Sequence, residues 1–133
     1  MDFHTDHKLL FMAHGPTLPR ALGAMVASAE KMPLTKLFEN YYTAMMQGLT
    51  KHATVKKHVN VLQHIMGYFK KQLSSDEKKE LLEVIGSYHN GLIPLVVPIT
   101  LLSHYVRIYD IAYLKRQWYL HPHPPELKLR NHV

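Results

Sequence analysis

The chain contains no cysteine. That excludes disulfides, a thiolate nucleophile, and any zinc or iron–sulfur site built on cysteine. Nor does any stretch alternate apolar and polar residues as a half-buried strand does, so no sheet is expected. A third absence concerns charge. Between Glu39 and Asp76 there is no carboxylate, and the thirty-six intervening residues hold Lys51, Lys56, Lys57, Lys70 and Lys71 together with His52, His58 and His64. The formal charge of the chain is +6, and this acid-free stretch carries most of it. Such a surface cannot neutralise itself; it attracts a polyanion, and phosphate backbones are the commonest polyanions in a cell.

Catalytic patterns are also missing. The chain has eleven histidines but no His-Glu-x-x-His motif; His4 with His7, and His121 with His123, lack an obvious third ligand. No metal ion and no cofactor are expected. Ser28, Ser74, Ser75, Ser87 and Ser103 fall in helix or cap contexts without a nucleophile elbow. Paired carboxylates for acid–base work are absent, which leaves His64 and His104 as the candidates if such chemistry exists. The N-terminal MDFHTDHKLL does not read as a secretory signal. From Ser87 to Val106 no residue is charged, but His89, Asn90, Gly91, two prolines, Ser103 and His104 make this a poor membrane helix. A cytoplasmic protein is expected.

What is present is helical periodicity. The fold class is all-α: one compact domain over residues 1–133, built from five to six helices. A first helix over about His4 to His14 buries Leu9, Leu10 and Met12 and stops at Gly15-Pro16. A second starts near Pro19, a residue suited to a first turn, and carries Leu22, Met25, Val26 and Ala29. The third, about Pro33 to Leu49, spaces Leu34, Leu37, Phe38, Tyr41, Met45 and Leu49 at helical intervals. A long basic helix over about Thr54 to Leu73 follows, with an apolar stripe of Val55, Val59, Leu62, Met66, Phe69 and Leu73. Ser74 and Glu77 form a capping box for the fifth, which ends at Gly91. A sixth runs from about Pro98 to Tyr109, or kinked from Pro94. A short helix over about Ile111 to Tyr119 precedes an extended, proline-rich arm at about 121–133.

Two surfaces stand out as candidates for binding nucleic acid. On a helical wheel, Lys57, Asn60, His64, Gly67 and Lys71 fall opposite the apolar stripe of the basic helix, with Lys56 and Lys70 beside them. Ammonium groups suit phosphate oxygens, while Asn and His can reach ribose hydroxyls or base edges. The other cluster is His104, Tyr105, Arg107, Lys115, Arg116, Gln117, Trp118 and Tyr119, where basic residues interleave with aromatics as in proteins that stack bases. Trp118 is better suited to the core than to the surface. If both clusters grip one backbone, they must share one face of the domain.

Several blocks together resemble a known family. KHVNVLQHIMGYFKKQLSSDEKKELLEVI, YHNGLIPLVVPITLLSHYV and YLKRQWYLHPHPPELKLRN, with MAHGPTLPRALGAMVA near the start, are similar to the YbgA family, a bacterial domain of unknown function. The resemblance covers essentially the whole chain. The family's polar motif positions map to Asn60, His64, Lys70, His89, His104, Gln117 and Arg130. Family members occur alone or fused behind a desulfidase domain acting on thiouracil or thiolated tRNA, and are often encoded beside DNA photolyase genes. The desulfidase needs cysteines to hold its cluster, so that activity does not carry over to this chain. What the resemblance implies is an accessory domain that presents RNA, tRNA first. A protein-interaction module docking on a desulfidase or DNA-repair enzyme is the alternative, and a His-dependent nucleotide or nucleic-acid enzyme a further one. One departure concerns the start: where the family has Tyr-Arg-x-Leu-Gly-Arg, this chain has Pro19-Arg20-Ala21-Leu22-Gly23-Ala24. The second arginine is missing, which weakens a phosphate grip at that end.

Overall fold

A computed structural model describes residues 2–121. Among the described residues there are seven α-helices and no strand: α1 Asp2–His14, α2 Leu18–Ala27, α3 Leu34–Leu49, α4 Val55–Gly67, α5 Ser75–His89, α6 Val96–Tyr109 and α7 Ala112–Lys115. Short 3₁₀ turns occupy Ala29–Lys31 and Trp118–Leu120. The all-α expectation holds. The proline-rich arm proposed for 121–133 lies, beyond His121, outside the described residues. No described helix is long and apolar enough to cross a membrane. The uncharged run from Ser87 to Val106 is broken between α5 and α6, and Pro98 sits in the first turn of α6.

Helix α1 is apolar on two sides, which a single-stripe reading of its sequence does not show. Leu9 and Ala13 face a main core with Val61, Leu62 and Ile65 of α4, Leu81 and Ile85 of α5, and Leu102 and Val106 of α6. Phe11 faces a smaller core with Leu22 of α2 and Tyr41 of α3. His4 is seven residues, about two turns, from Phe11 and is buried on that side, its Nδ1 3.0 Å from the Tyr41 hydroxyl. The helix is thus a wall shared by two layers, which is why a helix of modest hydropathy is buried on both flanks. Where α2 meets α3 the Leu18 side chain lies over Gly48, and a Cβ there would come within 2.6 Å of its methyl carbons.

The fastening of α1 comes from the far end of the chain. Gln117, with no exposed surface, accepts from the Leu9 N–H at 3.2 Å and donates to the Thr5 carbonyl at 2.6 Å. Those two backbone groups belong to one i to i+4 rung of an α-helix. The carboxamide therefore spans a rung of α1 and ties it to the turn after α7. Next to it in the core, the Tyr119 hydroxyl is 2.7 Å from His58 Nδ1 of α4.

Three local expectations need correction. The basic helix stops at Gly67 instead of Leu73, because the chain tightens into i to i+3 turns, with Tyr68 N–H donating to Ile65 and Phe69 N–H to Met66. Lys70 and Lys71 are therefore on a turn, and a wheel extended through them misplaces them. The buried face of α4 is His58, Val61, Leu62 and Ile65; Val55, Val59 and Met66 are only partly covered. The last helix is one turn, Ala112–Lys115, followed by the 3₁₀ turn that carries Trp118. The capping box stands as expected: Glu77 N–H donates to Ser74 Oγ and Ser74 N–H to Glu77 Oε1. Glu77 also accepts from the Tyr109 hydroxyl of α6 at 2.9 Å, so the cap doubles as a clasp between helices.

Replacing Gln117 with alanine removes both bonds and leaves a gap in a sealed site; a loss of about 1–3 kcal/mol in urea unfolding is expected. Gln117→Glu should cost more than alanine, because it buries a carboxylate against the Thr5 carbonyl. His4 makes stability depend on pH. Burial first, then the Lys8 ammonium and the N-terminal amine, hold its pKa below the ordinary value. The unfolded chain then binds the extra proton more readily than the folded one. Stability is complete above the unfolded value of about 6.5 and falls as pH drops from there towards the lowered folded value. Denaturant midpoints between pH 7.5 and 5 should fall less steeply in His4→Gln than in the native chain.

Candidate nucleic-acid interface

The outer face of α4 follows from its buried one. With His58, Val61, Leu62 and Ile65 turned inward, Lys56, Asn60, Gln63, His64 and Gly67 are exposed. Their spacing of four, three, one and three residues keeps them on one side of the helix. The row is about 16 Å long at 1.5 Å per residue. Thr54 caps the first turn by accepting from the Lys57 N–H. Beyond Gly67 the turn presents Lys70 and Lys71, both exposed. Among the described residues no carboxylate pairs with Lys51, Lys56, Lys70 or Lys71. His64 is uncovered, as the wheel required.

At the end of this row the chain folds back on itself and builds a groove of about 270 Å³ lined by Gln63, Met66, Gly67, Phe69, Lys70, Leu73 and Lys78. Its rim has two ammonium groups, Lys70 from the turn and Lys78 from the first turns of α5. Its floor is apolar. Beside the row lies an aromatic run: the half-exposed Tyr68 ring stacks on Tyr113 at 5.3 Å and 23°, with the His64 ring edge-on at 5.7 Å. Burial and the neighbouring Tyr68 push the Tyr113 hydroxyl up to about 12, so it stays a neutral phenol. Positive charge, amide groups and an accessible aromatic face thus meet at one corner of the domain.

Other candidates do not join it. Lys57 turns its Nζ onto the carbonyls of His14 and His52, each at 2.9 Å, and closes the junction between α1 and α4. Its place on the exposed row is taken by Lys56. Gln117 is the α1 fastener described above and is sealed from any ligand. Lys115 pairs with Asp110, and Arg116 holds Asp6 at 2.8 Å and Asp2 at 3.2 Å. His104 is exposed on α6 close enough to Glu77 to help hold its carboxyl below the usual range, behind the Ser74 backbone bond and the Tyr109 hydroxyl. Of the second cluster only Arg107 is an exposed cation with no carboxylate partner among the described residues; it lines a separate groove with Thr100, Ser103 and His121. Lys57 and Arg116 also sit at opposite ends of α1, about 12 Å apart along its axis by the spacing of Asp6 and His14. What separates the two clusters is their pairing: Lys115 and Arg116 are held by carboxylates, whereas Lys56, Lys70 and Lys71 are not. Trp118 departs from expectation as well. It is 45% exposed, its ring stacked at 5.5 Å on His7, which in turn stacks on Phe3 at 4.2 Å.

Sequence reasoning missed Gln63, Tyr68, Lys78 and Tyr113. Gln63 was legible, being seven residues from Lys56 and three from Asn60 on the same helical face. Lys78 and Tyr113 come from other elements, and only the packing of α5 and α7 brings them here. Among the described residues no group of three or more His, Asp or Glu could hold a metal ion.

Comparison with known proteins agrees with the motifs. Residues 8–124 match the model of a family described as "Protein of unknown function (DUF1722)". The "Uncharacterized protein YbgA" of Escherichia coli (strain K12) is 34% identical over 132 residues, covering 98% of this chain and 78% of that protein. No solved structure matches. The chain therefore belongs to the DUF1722 family, as a YbgA-type domain of unknown function.

Proposed function

We propose that this is a non-catalytic RNA-binding domain of the cytoplasm, with tRNA its leading ligand and the exposed row of α4 its contact surface. One observation carries the reading. Lys56, Lys70 and Lys71 face solvent with no carboxylate partner among the described residues, while Lys115 and Arg116 elsewhere are neutralised by partners. Uncompensated ammonium groups can neutralise phosphates and displace the cations condensed on a nucleic-acid backbone, and the entropy of that release favours binding. Asn60, Gln63 and His64 between the lysines offer donors and acceptors for ribose hydroxyls and base edges. Tyr68 adds a ring on which an unstacked base can lie, which favours loops and single-stranded ends over a duplex. In the setting the family resemblance implies, the domain would present thiolated tRNA to a separate desulfidase.

Electrophoretic mobility of total tRNA against duplex DNA over a salt series tests the proposal. tRNA should bind more tightly than the duplex, with affinity falling linearly on a log–log salt plot. Lys70→Ala with Lys71→Ala should flatten that slope by about 1.4, at roughly 0.7 per phosphate contact on a single strand. Folding stability should stay within about 0.5 kcal/mol of the parent, since both side chains are exposed. Arg116→Ala should leave the slope unchanged. No tRNA shift at low salt, or equal losses from Arg116 and the lysine pair, would refute it.

A further inference from the structure

Helix α3 buries only Leu37 and Tyr41. Its outer side exposes Leu34 by 62%, Phe38 by 51%, Tyr42 by 61% and Met46 by 43%. These four residues recur every fourth position and form one continuous ridge of the kind that packs into a matching helix. Phe3 of α1, 43% exposed, extends the apolar surface past Tyr41, whose ring centroid is 6.4 Å from its own. Large side chains present about 150–250 Å² each when fully open. The row and Phe3 therefore leave on the order of 500 Å² of apolar surface in water, near the upper end for the largest patch on a monomer.

We infer that this ridge is the two-fold interface of a homodimer, in which α3 packs antiparallel on α3 of a second copy. The spacing is self-complementary about Asn40: Phe38 falls opposite Tyr42 of the other copy, and Leu34 opposite its Met46. Ridges made of every fourth residue interdigitate in the commonest class of helix packing, with axes crossing near −50°. Charge selects a second copy in preference to a polyanion or an anionic membrane. A chain with a formal charge of +6 repels itself over most of its surface, whereas α3 carries only Lys36 and Glu39, which cancel. The exposed apolar area supplies more than half of the roughly 800 Å² each partner buries in a standard interface. Thr35, Thr43 and Gln47 beside the ridge supply the polar rim that such an interface has around its apolar centre. The α4 row is on a different element and stays open in the dimer, so two RNA-contacting faces would be presented at once.

Sedimentation equilibrium of the full chain over a concentration series reads the stoichiometry. Twice the chain mass is expected at micromolar concentration. Phe38→Glu or Tyr42→Glu should weaken dimerisation at least tenfold with unchanged helical circular dichroism, because both side chains are already in water. Leu82→Glu, at an equally exposed leucine on α5, should leave the dimer intact. The absence of native cysteine allows a geometric check with a short bis-maleimide. Glu39→Cys, next to the proposed axis, should cross-link to its own copy, while Thr35→Cys should not, its counterpart being about 15 Å further along the helix. A monomer at every concentration up to about 100 μM, a dimer indifferent to Phe38→Glu and Tyr42→Glu, or a monomer whose α3 face instead binds vesicles or a separate enzyme would each overturn the inference.

Discussion

Two hydrogen bonds from the Gln117 carboxamide hold the C-terminal turn against α1, across 108 and 112 residues of sequence. Much of the architecture depends on that fastening. Helix α1 is the wall between the main core and the smaller α2–α3 layer, so its position fixes where both layers sit. The same turn brings Tyr119 onto His58 of α4 and Arg116 onto Asp2 and Asp6. The two backbone groups also pair with each other along the rung, so the amide stabilises only modestly when bonded, but the carboxamide itself would be left unsatisfied in a dry site if α1 moved away, and that is expensive. That asymmetry makes Gln117 a structural residue, although it sits in a motif that reads as a binding motif.

Ion pairs matter here for a different reason. Exposed pairs such as Lys115 with Asp110 stabilise a fold by no more than about 1 kcal/mol. Their consequence is electrostatic: a cation held by a carboxylate no longer adds to the field that a polyanion meets. With Lys115 and Arg116 so held, and the Lys57 ammonium turned inward onto two carbonyls, Lys56, Lys70 and Lys71 remain as outward cations on the outer side of α4 and the turn after it. The exposed carboxylates of α5, Asp76, Glu80 and Glu83, recur at helical spacing on a neighbouring face. The α4 side therefore has an electrical direction as well as a shape: a basic edge bordered by an acidic one.

Much of this was legible in the sequence because helical periodicity and capping are local. The elements, the Ser74–Glu77 box and the first-turn prolines needed no tertiary information. The acid-free stretch was legible too, and with it Lys56, Asn60, His64, Lys70 and Lys71 as exposed residues. Long-range choices were hidden. Nothing local distinguishes Lys57 from Lys56; the carbonyls of His14 and His52 decide it. Nothing local tells that Arg116 meets Asp2 and Asp6, or that Gln117 enters α1 while its neighbour Trp118 stays half in water. The helical wheel failed where the helix itself ended, at Gly67, and so misplaced Lys71.

On the proposed function the carboxylate-free side of α4 is the working surface, and the cations around Arg116 belong to the fold. Backbone amide shifts of the isotope-labelled protein, followed during titration with a single-stranded RNA, test it residue by residue. Progressive shifts are expected at 56–71 and around Lys78 and Tyr113, reversed by added salt, with Lys115 to Gln117 unmoved. Shifts centred on Arg116 and His104 with α4 silent, or no shifts at any RNA concentration, would contradict it.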